Sequence, residues 1–174
     1  ERAQGWSRQL RLTPLRPAAY VATKVVVALA LAAVAVVVEL GVGATSGVDL
    51  PVGTLLLAGA AGWACSVVFA ALGLFMGYLL PSENAMQFLG PILAILSIFG
   101  GIFSGPIAPN STYGHIAALT PIYGYSQIAH WPLTRTIDGT YDAFHLSWVV
   151  NLVVWGAIFV AGAAWRFKKD TARV

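Results

Sequence analysis

The feature that most constrains this chain is an uninterrupted apolar run, VVVALALAAVAVVV, at residues 25–38. Apolar segments of about 18 residues or more recur along the sequence, which marks membrane spans rather than core helices. The composition agrees, because 58% of the residues are hydrophobic and only 10% are charged. We therefore predict an all-α integral membrane protein, a polytopic helical bundle with four full spans. The predicted spans are Pro17–Gly43, Val52–Leu80, Ala85–Phe103 and Leu146–Trp165.

The basic residues predict how the spans are oriented. Five of the ten Lys and Arg residues lie in the first 24 positions and four lie in residues 166–174, so that only Arg135 lies between. Basic flanks favour the cytoplasmic side of a membrane. An even number of spans with both ends in the cytoplasm satisfies this bias, and residues 166–174 then form a cytoplasmic tail. The Ala-, Val- and Gly-rich composition suggests a bacterial plasma membrane protein.

Residues 106–145 form neither a clean span nor a polar loop. The stretch YGHIAALTPIYGYSQIAHWPL mixes aromatic and small residues with two prolines, a pattern that predicts two short helices broken at Pro121. Irregular backbone at membrane depth survives only where protein or a water-filled cavity covers it. We interpret this segment as a re-entrant helical pair that faces outward.

The opening stretch, ERAQGWSRQLRLTPLRP, predicts a short amphipathic helix at residues 1–16 with a proline elbow. Ala3, Trp6 and Leu10 fall at i, i+3 and i+7 and form an apolar stripe. The helix should end before Pro14, because the residue before a proline disfavours the α conformation. Two interpretations stay open: an interfacial helix held on anionic lipid, or a docking helix for a cytoplasmic partner.

Two stretches carry a resemblance to a known family. RQLRLTPLRPAAYVATK, leading into a long Ala/Val/Leu span, resembles the cytoplasmic coupling segment of type-2 ATP-binding-cassette (ABC) exporter permeases. GIFSGPIAPNSTYGHIAALTPIYGYSQIAHWPL is similar to the stretch that precedes the last span in that family, including its TP-x-Y step. Such permeases usually have six spans, with the coupling segment between the first and the second. The resemblance therefore implies at least one further span before Glu1.

The resemblance also implies partners and a function. This chain would be the permease subunit of an ABC exporter that moves a hydrophobic or amphipathic compound (a drug, an antibiotic or a lipid-like molecule) out of the cell. Two cytoplasmic ATPase subunits would bind ATP and Mg, and a second permease subunit, identical or homologous, would complete the pathway. The residues that would contact the ATPase are Glu1, Arg2, Gly5, Trp6, Arg8, Leu10 and Arg11. The alternatives are a permease for a polysaccharide or lipid-linked glycan, and a motor-free assembly subunit or channel.

The sequence offers little chemistry of its own. It contains no G-x-x-x-x-G-K-[ST] motif, so we expect no ATPase site in this chain, and no H-E-x-x-H motif. Cys65 is the single cysteine. His115, His130 and His145 accompany Asp138 and Asp142, but their separation argues against a metal site. Because the basic residues flank apolar runs, we expect the bilayer and not a nucleic acid as their partner.

A few residues within the predicted spans are candidates for the substrate pathway. Polar side chains inside membranes are often functional. Glu39 is either a solvated carboxylate near the outer boundary or a group lining an exit. Asn151 makes either an interhelical hydrogen bond or a substrate contact. Phe69, Phe75 and Met76 are the apolar candidates.

Two G-x-x-x-G sequences predict close helix packing. GLFMG places Gly73 and Gly77, and GIFSG places Gly101 and Gly105, at a spacing that lets helix backbones approach. The sequence leaves open whether they pack within the subunit or across a dimer.

Overall fold

The computed structural model describes residues 17–47, 50–80, 85–105, 107–108, 110–136 and 138–171. Within these ranges the regular structure is entirely helical. The helices are α1 (Pro17–Thr45), α2 (Val52–Cys65), α3 (Val67–Leu79), α4 (Ala85–Phe99), α5 (Thr112–Ala117), α6 (Tyr123–His130), a 3₁₀ turn (Trp131–Thr134) and α7 (Leu146–Thr171). The predicted amphipathic helix at residues 1–16, with all its ATPase-contact residues, lies outside the described residues.

In the described part of the chain, three helical stretches are long and apolar enough to cross a membrane, namely Ala22–Thr45, Val52–Leu79 and Leu146–Arg166. They confirm an all-α polytopic membrane protein. The second stretch consists of α2 and α3, which are separated only by Ser66. The Ser66 hydroxyl donates to the Trp63 carbonyl oxygen at 2.7 Å, a contact that bends helices without ending them.

The predicted third span is shorter than expected. α4 ends at Phe99 rather than at Phe103, and its 15 residues extend about 22 Å at about 1.5 Å per residue. A hydrocarbon core is about 30 Å thick. The described part of the chain therefore contains three helical stretches long enough to span a membrane, whereas α4 is too short to do so alone. The fourth full span stays a prediction.

Gly101 and Gly105, the glycines of the second G-x-x-x-G sequence, do not lie on a helix, and their part in packing stays a prediction. Both residues follow α4 and lie outside any helix, with φ of +82° and +69°. Only glycine adopts this left-handed conformation readily, because it has no Cβ. The two glycines turn the chain away from α4 toward α5.

The structure confirms two short helices between α4 and α7. The break between α5 and α6 covers residues 118–122 and includes Pro121, as predicted. α6 lies between α2 and α7, and the neighbouring Ala117 and Ile122 are 0% and 1% exposed. The side of the membrane that this pair faces stays a prediction.

The last helix, α7, organises the interior. Its Phe159 joins Val68, Ala71 and Leu72 of α3 in one buried cluster. Its Trp148 joins a second cluster with Ile107, Ala117 and Tyr123. By contrast, α1 packs beside α2 and α3 and leaves a row of valines exposed, as expected for a helix that faces lipid or another subunit.

Candidate functional site

An apolar cavity of about 330 Å³ lies between α3, α4 and α6. The phenol ring of Tyr125 meets the ring of Phe69 edge to face, with centroids 4.8 Å apart. Among the described residues, Ser97 and Tyr125 supply the only polar side chains of the lining. Such a cavity can accept an apolar molecule and offers no acid–base pair. Its lining consists of Phe69, Leu72, Gly73, Leu89, Leu93, Ser97, Ile102, Ile122 and Tyr125.

The end of α4 is held against the short helices, and this contact closes one wall of the cavity. The Tyr113 hydroxyl donates to the Ile98 carbonyl oxygen at 2.6 Å. A Cβ added to Gly100 would lie 2.7 Å from the Cβ of Ile122, so only glycine permits this approach. The Tyr113 hydrogen bond and the missing side chain at Gly100 both contribute to this wall.

The structure separates the predicted apolar pathway residues. Phe69 lines the cavity. Phe75 instead stacks on Phe159 of α7, with ring centroids 6.0 Å apart, and Met76 packs against the same buried cluster. Glu39 is exposed on α1 and does not line the cavity. Of these four residues, only Phe69 belongs to the candidate site.

Asn151 uses its whole side-chain amide to join α7 to the short helices. Its Oδ1 accepts from the Gly124 N–H at 3.0 Å. Its Nδ2 donates to the carbonyl oxygens of Ala118 at 2.7 Å and Thr120 at 3.2 Å. Of the two sequence-based interpretations, the structure contains the interhelical hydrogen bond, and Asn151 lies outside the cavity lining.

Gly73 and Gly77 make no close packing contact within the described part of the chain. An added Cβ at either position would meet nothing within 4 Å. Among the described glycines, an added Cβ would lie closer than 3.0 Å to another residue at Gly100, Gly101, Gly124 and Gly162; on Gly162 it would lie 2.6 Å from the Phe75 ring. Of these four glycines only Gly101 belongs to a G-x-x-x-G sequence, and its neighbour is Ile107 outside the helices, so that pattern does not identify the close contacts between helices.

The histidines do not form a metal site among the described residues, where no group of three or more potential ligands occurs. His130 instead joins a short hydrogen-bond chain. The Ser126 hydroxyl donates to the Gly101 carbonyl oxygen at 3.0 Å, so the His130 Nδ1–H, 3.3 Å away, is the donor to Ser126. Burial lowers the pKa of the His130 imidazole, which favours the neutral ring.

Sequence reasoning missed two polar residues of the cavity, Ser97 and Tyr125. Ser97 is the only polar side chain in the apolar stretch ILAILSIF at residues 92–99, and this isolation was the available signal. Tyr125 resembles the neighbouring tyrosines in sequence. Only its position opposite Phe69 distinguishes it, because that contact joins segments 56 residues apart (125 minus 69).

The comparisons with known proteins match one family. Residues 1–126 match the ABC2_membrane family, described as ABC-2 type transporter. The matched region covers most of the chain and extends from the predicted coupling segment into α6. The searches of curated proteins and of solved structures found no match. The chain belongs to the ABC-2 type transporter family.

Proposed function

We propose that this chain is the permease subunit of a bacterial ABC exporter that moves a hydrophobic or amphipathic compound out of the cell. Two cytoplasmic ATPase subunits supply the energy, and a second permease subunit, identical or homologous, completes the pathway. The chain itself binds no nucleotide in this proposal. The ATPase subunits bind ATP and Mg, and the membrane helices respond to the nucleotide state of these partners.

The observation that carries the proposal is the family match over residues 1–126. This region includes the opening stretch in which Trp6 and Leu10 form the predicted apolar stripe. The residues given contain no phosphate-binding loop of the G-x-x-x-x-G-K-[ST] type, and in this proposal the ATPase subunits supply that loop.

The apolar cavity supports the choice of cargo. Its lining is almost entirely aliphatic and aromatic, and no Lys, Arg, Asp or Glu of the residues that the structure describes contributes to it. Transfer of an apolar molecule from water into such a cavity is favourable in proportion to the apolar area removed from water. A hydrophobic compound therefore fits this site better than a charged one.

The decisive test asks whether an ATPase binds the opening stretch. A photoreactive amino acid at Trp6 should form a crosslink to an ATP-hydrolysing protein in native membranes, and the crosslink yield should change when a non-hydrolysable ATP analogue is added. A Trp6→Ala/Leu10→Ala variant should insert normally and copurify with much less ATPase, because the apolar stripe is lost.

The matched control is Gln4→Ala in the same stretch, which leaves the apolar stripe intact and should retain the ATPase. Crosslinks to lipid alone, together with equal ATPase recovery from both variants, would favour the interfacial-helix interpretation and count against docking.

A further inference from the structure

The apolar cavity between α3, α4 and α6 lacks one side chain in the wall that α3 provides. That wall consists of Phe69, Leu72 and Gly73, which stand at i, i+3 and i+4 and therefore lie on one face of the helix. An added Cβ at Gly73 would meet nothing within 4 Å. No described neighbour therefore fills the space that the missing side chain leaves.

A side chain at residue 73 would extend toward the cavity. The Cβ atoms of residues i and i+4 lie one above the other on the same face of an α-helix, so a side chain here would project on the side where Phe69 lines the cavity. Long helical side chains also lean toward the preceding turn, which here contains Phe69. Any larger residue in place of Gly73 would therefore occupy part of the cavity.

The volume of the cavity limits the size of the apolar group that fits. The cavity measures about 330 Å³, whereas an apolar cavity of about 150 Å³ is enough to bind benzene. The space thus exceeds what one aromatic ring needs and leaves room for a second ring.

The lining also restricts the chemistry of the ligand. No charged side chain from the described part of the chain lines the cavity, so an ionic group would lose its hydration without gaining a partner. The rings of Phe69 and Tyr125 meet edge to face with centroids 4.8 Å apart, and aromatic rings favour such arrangements with one another. A neutral aromatic group therefore suits this lining.

We propose that Gly73 determines the size of the ligand that this cavity accepts. The missing side chain admits a neutral compound with two fused aromatic rings, whereas a larger residue would leave room for one ring. This inference rests on the proposed function, because it takes the apolar cavity as the site of the transported compound, and it makes Gly73 a specificity-determining residue.

The test measures the affinities of benzene and naphthalene for the chain in nanodiscs. The reporter is a single 3-fluorotyrosine introduced at Tyr125, a residue of the lining. Its ¹⁹F resonance should shift in a saturable way when a probe occupies the cavity, and partition of the probe into the lipid gives no saturable shift at this position. We expect the original chain to bind both probes.

Two variants should lower the size limit in steps. Gly73→Leu should weaken naphthalene binding by at least about tenfold, the usual effect of overpacking an apolar site, and should change benzene binding by less than about twofold. Gly73→Ala should weaken naphthalene binding by a smaller factor, and this variant decides if Gly73→Leu fails to fold.

The matched control is Gly156→Leu on α7. An added Cβ at Gly156 also meets nothing within 4 Å, and this residue lies outside the cavity lining. The control variant should therefore bind both probes as the original chain does.

Three results would overturn the proposal. Unchanged naphthalene binding in the Gly73 variants would mean that residue 73 does not limit the ligand. An equal loss of benzene and naphthalene binding would mean that the new side chain closes the cavity without selecting by size. Binding of neither probe to the original chain would mean that the cavity is not a ligand site.

These results are independent of the ATPase recovery that tests the proposed function. Failure of size selection in a chain that crosslinks to the ATPase at Trp6 would overturn this inference alone. Size selection in a chain without that crosslink would retain the binding site and count against the exporter.

Discussion

At the scale of single residues, Asn151 has the most consequential contacts in the described part of the chain. Its side chain makes hydrogen bonds with three main-chain groups at the break between α5 and α6 and at the start of α6. That break contains Pro121, which has no N–H to donate. Asn151 supplies a donor from α7 to the carbonyl oxygens of Ala118 and Thr120. The sequence could indicate a polar residue inside a span but not which carbonyl groups it meets.

The first prediction concerns this residue. Asn151→Leu should lower the free energy of unfolding in detergent by about 1–2 kcal/mol, because three interhelical hydrogen bonds are lost and polar groups remain unpaired. Thermal or denaturant unfolding followed by circular dichroism measures the change. The control is Val150→Leu at the adjacent exposed position, for which we expect a change within about 0.5 kcal/mol. Equal stability of the two variants would contradict the assigned role.

The second prediction compares two glycines. A Cβ on Gly124 would collide with the carbonyl oxygen of Trp148 and lie 2.9 Å from Asn151 Oδ1. Gly124→Ala should therefore cost about 1–3 kcal/mol, the usual effect of overpacking. Gly73→Ala meets nothing within 4 Å and should be neutral or slightly stabilising, since alanine is the better helix former. The free energy of unfolding of both variants is measured. A larger loss of stability in Gly73→Ala than in Gly124→Ala would contradict the packing at Gly124.

At the scale of elements, apolar run length predicted the helices well. α1 was predicted to end at Gly43 and ends at Thr45, and the α2–α3 stretch ends one residue before its predicted limit. The largest error is at the end of α4, where Ile102 and Phe103 continue the apolar character beyond the helix. Hydropathy cannot predict that the helix ends before Gly100 and Gly101. The position of this helix end depends on backbone conformation and on the contact of Gly100 with Ile122.

The third prediction concerns the exposed face of α3. Gly73→Leu/Gly77→Leu adds bulk where the described chain has no neighbour within 4 Å. The variant should therefore fold, and its dimer fraction should fall if this face packs against a second subunit, as small residues do between membrane helices. Native mass spectrometry measures the dimer fraction. The control is Gly90→Leu, an equally open position on α4. An unchanged dimer fraction in both variants would mean that the Gly73–Gly77 face of α3 does not pack against a second subunit.

At the scale of the whole molecule, the number of crossings decides how the chain is arranged. The three long helices alone would place the beginning of α1 and the end of α7 on opposite sides of the membrane. The basic residues at both ends of the sequence favour the same, cytoplasmic side. The two observations agree only if residues 85–105 provide a fourth crossing. The distribution of basic residues predicts an even number of crossings. The described length of α4 is too short to confirm the fourth crossing.

The fourth prediction tests the parity by labelling single cysteines in a Cys65→Ser background, which removes the only native thiol. A membrane-impermeant maleimide added to intact cells should label Asn110→Cys, an exposed position between α4 and α5. It should not label Ser7→Cys or Thr171→Cys until the cells are opened, because both ends are predicted to be cytoplasmic. A permeant maleimide, which should label all three variants, controls for accessibility. If Ser7→Cys and Thr171→Cys were labelled from opposite sides, residues 85–105 would not cross the membrane. The side on which the opening stretch lies would then have to be established separately from that of the tail.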